Sequence, residues 1–145
     1  MPDISLEGEI NKQTVDDVIS RLAPGDRLVI NSRGGSLEQA DRLAKFIRQN
    51  NIDTHANSTA WVQSTAVLVY SAGHNRTAGE NILFGVHPML KEGKIHPEAT
   101  RYMYDRLLEH GVKTDISSYL YPDGPRTLGY KGARGIGLVN ADVVK

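Results

Sequence analysis

The chain contains no cysteine. Disulfides, thiolate metal ligands and a cysteine nucleophile are therefore excluded together. Net charge is lacking as well, because 17 Lys and Arg balance 17 Asp and Glu. Such a balance calls for neither a nucleic acid nor an anionic membrane as partner, and a chain near its isoelectric point tends to self-associate. No stretch approaches the ~18 consecutive apolar residues of a membrane span. The opening residues MPDISLEGEI have neither the basic region nor the apolar core of a secretory signal. The cytoplasm is the expected location.

What is present is an ordinary globular composition, 39% hydrophobic and 23% charged over 145 residues. That length fits one domain with a sizeable core. Apolar residues at Val15, Val18, Ile19 and Leu22 have helical spacing, and Thr14 is the expected N-cap. Leu37, Ala40, Leu43, Ala44 and Ile47 predict a second helix, and residues 97–110 a third, with Ala99, Met103 and Leu107 on one face and Gly111 ending it. Short apolar runs at 4–6, 28–30, 52–56 and 82–86 predict strands. Residues 61–72 are the most apolar segment and end at Gly73, while residues 121–145 are glycine-rich. Strand and helix alternate throughout, which predicts a single α/β domain without internal repeat.

Three features carry chemistry. Ser64 lies at the start of the apolar segment helix, where unpaired backbone N–H groups suit an oxyanion, but a serine hydroxyl needs a base within reach. His87 ends a strand and precedes Pro88, which forces it into extended backbone and presents an imidazole suited to act as a general base. Gly34-Gly35 follows a strand, and paired glycines let backbone N–H groups approach a substrate oxygen. Taken singly, Ser64 also fits an N-cap, His87 a strand-end histidine and Gly34-Gly35 a plain turn. His55, His74, His96 and His110 show no metal-ligand spacing, and no metal or cofactor is expected. The turn at 31–36 matches neither a P-loop nor a dinucleotide fingerprint.

Together the features resemble the ClpP peptidase family. Val29-Ile30-Asn31-Ser32-Arg33-Gly34-Gly35-Ser36 is similar to that family's Ile-Asn-Ser-Pro-Gly-Gly turn. Ser64 stands nine residues before Gly73 of an Ala-Gly pair, His87 follows 23 residues after Ser64, and Gly137-Leu138-Val139-Asn140 is similar to the closing signature. Short ClpP-like bacterial proteins also share pieces found here as Gly73-His74-Asn75-Arg76 and Gly85-Val86-His87. The resemblance covers about residues 4–140. It implies a ClpP/crotonase-like ββα superhelical fold and a serine peptidase in which Ser64 is the nucleophile and His87 the base. The backbone N–H groups of Gly34 or Gly35 with that of Thr65 would form the oxyanion hole. The family's orienting aspartate falls on Asp123 if the loop holds a small insertion, with Asp115 next, and a backbone carbonyl can orient the histidine instead. Arg33 replaces the family's proline, and Gln63 and Ala66 replace small residues around the serine.

The implied substrate is a peptide or protein. The fold class also implies a homo-oligomer, with Tyr102, Met103 and Leu107 as contact residues; whether an ATPase partner serves the chain is open, since the region through which ClpP rings lock together is shortened. Signal-peptide peptidases of related fold use a lysine base, for which Lys91 and Lys94 are the candidates. A non-catalytic assembly or adaptor module and a crotonase-like acyl-CoA enzyme are the competing functions.

Overall fold

The computed structural model describes residues 3–113 and 126–143. In chain order the elements are β1 (Asp3–Glu7), α1 (Lys12–Arg21), β2 (Arg27–Asn31), α2 (Leu37–Gln49), β3 (Asp53–Ala56) and β4 (Val62–Gln63). There follow α3 (Thr65–Ser71), β5 (Arg76–Ala78), β6 (Leu83–Val86), β7 (Leu90–Lys91), β8 (Lys94–Ile95), α4 (Pro97–Glu109), β9 (Arg126–Gly129) and α5 (Tyr130–Gly135).

One sheet is parallel throughout, in the order β1-β2-β3-β5. Beyond each of its strands the chain enters a second pairing layer before starting a helix. Ile10 bridges Gly35, Ser32 bridges Val62, and β4 runs parallel to β6 with Val62 opposite Phe84. The progression strand, second-layer segment, helix therefore occurs four times, through α1, α2, α3 and α4. The fourth helix is reached through the β7–β8 hairpin. β9 closes the second layer against β6 in antiparallel fashion.

The helices form for the reasons the spacing predicts. α2 buries Ala40, Leu43, Ala44 and Ile47 completely in the core that also holds Leu28 and Ile30, and it packs on α3. Each such Leu or Ile side chain contributes roughly 1.5–3 kcal/mol. α1 departs from expectation at its start. Asn11 is the N-cap, accepting the Thr14 N–H, and Thr14 sits three residues in and returns its hydroxyl to the Asn11 N–H. That reciprocal capping box satisfies two of the helix's orphan donors and draws the helix start forward to Lys12.

Met103 and Leu107 are fully buried in the chain's own core, so neither is available for contacts between copies; Tyr102 is exposed and donates to Asp41. Burial won because α4 packs on α3. Among the described residues no helix is long and apolar enough to cross a membrane.

Gly73-His74-Asn75-Arg76 and the carboxy-terminal Gly137-Leu138-Val139-Asn140 form one structural unit. Arg76 is buried, and its guanidinium donates to the carbonyls of Gly73 at 2.8 Å, Leu138 at 2.8 Å and Gly137 at 2.6 Å. Asn140 pairs with the Arg76 backbone in both directions, its Oδ1 accepting at 2.6 Å and its N–H donating at 3.0 Å. Gly73 can have no side chain, since a Cβ would lie 2.2 Å from the Thr54 hydroxyl.

Candidate functional site

Ser64 occupies the junction of β4 and α3 with φ 57° and ψ −128°. Positive φ in a non-glycine residue costs on the order of 1–3 kcal/mol and persists only where the surroundings impose it. Here they do. The Ser64 N–H donates to the Gly85 carbonyl at 2.9 Å, and the Ser64 carbonyl accepts the Val67 N–H at 3.0 Å. Gly34 supports it from the other side, where a Cβ would fall 2.9 Å from both the Ser64 Cβ and the Gln63 carbonyl oxygen. The Ser64 side chain makes no capping bond to its helix, so an N-cap role is not what fixes a serine there.

His87 follows β6 directly. Because Gln63 pairs with Gly85 in parallel register, Ser64 and His87 leave the same ends of adjacent strands. The His87 Nδ1 lies 2.8 Å from the carbonyl oxygen of Pro88. That contact makes Nδ1 the protonated nitrogen and leaves Nε2 as the acceptor. A backbone carbonyl thus orients the ring. Among the described residues Nε2 has no hydrogen-bond partner, and no bond joins it to Ser64. Asp123 and Asp115 lie outside the described residues.

The glycine turn is placed beside Ser64, but its donors are occupied. Gly34 N–H donates to the Ser32 hydroxyl at 3.0 Å, and Gly35 N–H donates to the Thr65 hydroxyl at 2.9 Å. The Thr65 hydroxyl is also 3.3 Å from the Gly35 carbonyl. The Thr65 N–H, at the first helical position, has no intrahelical acceptor. Lys91 and Lys94 face each other across the exposed β7–β8 hairpin, the placement of solvated lysines.

Sequence reasoning missed two arrangements. The first is another Ser–His contact, Ser71 Oγ to His110 Nδ1 at 2.7 Å, which joins α3 to the end of α4. Ser71 is wholly inaccessible and its hydroxyl already donates to the Leu68 carbonyl at 2.7 Å, so this pair is a packing element. Burial, with Arg48 and Arg76 nearby, pulls the His110 pKa down to about 4. The second is Trp61, 48% exposed, with the Arg33 guanidinium 4.1 Å from its ring centroid. The pair walls a cleft of about 550 Å³ that also touches Asn31, Ser32, Gly34 and Gly35. Arg33 beside Gly34-Gly35 is the available signal, but its aromatic partner is 28 positions away in sequence. A larger hollow of about 830 Å³ runs along α1 and α2 past Asp41 and Tyr102, and Ser64 takes no part in it.

Among the described residues no group of three or more acidic or histidine side chains is arranged to hold a metal ion. No protein-family model matches the chain, and comparison with curated proteins gives no match.

Proposed function

We propose that the chain is a serine peptidase of the ClpP/crotonase-like ββα class, with Ser64 as nucleophile and His87 as base. The observation that carries the reading is Ser64 itself: a serine held in strained backbone, wedged against a glycine, with a hydroxyl that does no capping. Strain at a position that the surroundings over-determine is characteristic of functional residues. The fourfold strand, second-layer segment, helix progression supports the fold assignment, and the His87 tautomer supports the base.

In this reading His87 Nε2 takes the Ser64 proton as Oγ attacks the scissile carbonyl, and returns it to the departing amine. Water then attacks the acyl-enzyme by the same base and restores the serine. Pro88 supplies through its carbonyl the orientation that a third side chain supplies in a triad. The Ser64–His87 bond forms with substrate in place, as catalytic hydrogen bonds often tighten only in the complex. The substrate is a peptide or protein, the chain uses no bound cofactor, and copies of it assemble.

A second reading has two observations in its favour. With Gly34 and Gly35 N–H groups bound to hydroxyls and Ser64 unbonded to His87, the chain would serve as a non-catalytic assembly or adaptor module. Treatment with a fluorophosphonate and mapping of the adduct separates the two. The peptidase reading expects modification at Ser64, abolished in Ser64→Ala and His87→Ala. Absence of any adduct between pH 6 and 9 favours the module.

A further inference from the structure

From the cleft beside the glycine turn we infer that the chain binds a peptide carboxylate there, held by Arg33. The inference rests on the peptidase reading only for its statement that the ligand is a peptide.

Arg33 makes no ion pair among the described residues, and its guanidinium is instead pinned over the face of Trp61. A cation–π contact of this kind holds the planar fork in place while leaving its edge donors to a second partner. The neighbouring groups are donors too. Asn31 accepts the Trp61 N–H through Oδ1 at 2.8 Å, which commits its amide NH₂ to donation. Ser32 Oγ accepts the Gly34 N–H at 3.0 Å, leaving its own proton for an acceptor. Glu9 is the one acid lining the cleft, and its Oε1 already receives the Asn11 amide at 3.3 Å. A guanidinium fork, an amide NH₂ and a hydroxyl around one hollow match a planar carboxylate, which takes parallel bonds from an arginine. The cleft is lined by Gly34 and Gly35 and not by Ser64 or His87, so it adjoins the Ser64 surroundings through the glycine turn alone.

Two sources supply that group: an Asp or Glu side chain, or the carboxyl terminus of the peptide. Trp61 is the only tryptophan in the chain and also lines a hollow with Ser58 and Leu83, so its fluorescence reports on both places and Arg33→Gln tells them apart. The test titrates full-length Ser64→Ala protein with three peptides and follows Trp61 emission. One peptide carries an internal Asp with both ends blocked, the second has Asn in its place, and the third is the Asn peptide with a free carboxyl terminus. A saturable change with the first identifies a side-chain carboxylate, and with the third a terminal one. In either case the blocked Asn peptide binds at least about tenfold more weakly, as expected for loss of a charged hydrogen bond. Arg33→Gln abolishes the difference, and raised salt diminishes it. Equal binding by all three peptides, no saturable change with any, or an undiminished preference in Arg33→Gln overturns the inference. Because binding is read without turnover, a Ser64 that fails to react with fluorophosphonate refutes the peptidase reading and leaves this result standing.

Discussion

Removing the Thr65 hydroxyl should make Ser64 more reactive. In the structure the Gly35 N–H, one of the donors an oxyanion would need, is spent on Thr65 Oγ1 at 2.9 Å. On the proposed reading the Gly35 N–H would serve the oxyanion, and reaction would then first displace the hydroxyl. A neutral hydrogen bond contributes a net ~0.5–1.5 kcal/mol. At ~1.4 kcal/mol per factor of ten, Thr65→Ala should raise the rate of fluorophosphonate labelling about 2- to 12-fold. Thr65→Ser keeps the hydroxyl and should label like the unaltered protein. Thr65 is completely buried, so the alanine also loses a methyl contact and the tie to the glycine turn. That loss should amount to about 1–2 kcal/mol, a fall of a few degrees in Tm, which leaves the variant folded for assay. Labelling rates measured by quenched mass spectrometry, with circular dichroism as the control of fold, settle the matter. Slower labelling in a folded Thr65→Ala protein would refute the reasoning and make the hydroxyl a brace that holds Gly35 in its productive place.

Gly34→Ala should abolish labelling of Ser64, since φ is 97° at Gly34 and the new methyl would meet the Ser64 Cβ and the Gln63 carbonyl; retention of full labelling would argue against the wedge. Gly73→Ala places a methyl 2.2 Å from the Thr54 hydroxyl, which is tied to the Tyr70 carbonyl at 2.7 Å and cannot swing aside, so urea unfolding should show a loss of about 1–3 kcal/mol. Arg76→Met leaves the carbonyls of Gly73, Gly137 and Leu138 without their donor and should cost about 3 kcal/mol or more in the same measurement. For His110 the folded pKa is depressed to about 4 from an ordinary 6.5. The unfolded chain then binds the proton first as pH falls, and stability drains away between pH 6.5 and 4, by up to about 3 kcal/mol. His55, also held low mainly by its burial, adds to the same slope, so His110→Gln should flatten the pH dependence of Tm only in part.

How far the sequence discloses this molecule depends on the range of the forces involved. Helical spacing at Leu37, Ala40, Leu43, Ala44 and Ile47 predicts α2 because one face must be buried, and burial is a local pattern. Gly111 does end α4 with φ 96°, since a left-handed residue there needs no Cβ. The start of α1 was misjudged by three residues because Asn11 and Thr14 are both good capping residues, and only the reciprocal bond between them decides which is the cap. The short strands β5 and β9, the β7–β8 hairpin and α5 leave little periodicity to see; β5 exists because its backbone completes the edge of the parallel sheet. At the candidate site, spacing singles out Ser64, His87 and the glycines, and the parallel β4–β6 pairing is what sets Ser64 and His87 at the same strand ends. The Thr65 hydroxyl on Gly35, the Pro88 carbonyl on His87 and the Arg33–Trp61 stack were not legible, because each depends on side-chain geometry that no spacing encodes.

The strain at Ser64 explains why so many glycines gather around one serine. Holding φ at 57° requires opposing constraints on both sides of the residue. Gly85 supplies one, its carbonyl binding the Ser64 N–H while its missing side chain admits Gln63, whose Cγ would lie 2.8 Å from a Cβ there. Gly34 supplies the other, by allowing the turn after β2 to close upon the Ser64 Cβ. Gly35 in turn lets that turn pack on Ile10, whose carbonyl oxygen would be 2.3 Å from a Cβ. The chain of contacts runs from the first second-layer segment to the serine, so the strained residue rests on three successive strand-to-helix units. A structural N-cap would need none of this: an extended residue before α3 caps without strain, as Ser36 does before α2 with φ −63°. The arrangement around Ser64, itself only 8% exposed, is therefore costlier than helix capping demands, and on the proposed reading the excess is what holds a nucleophile in place.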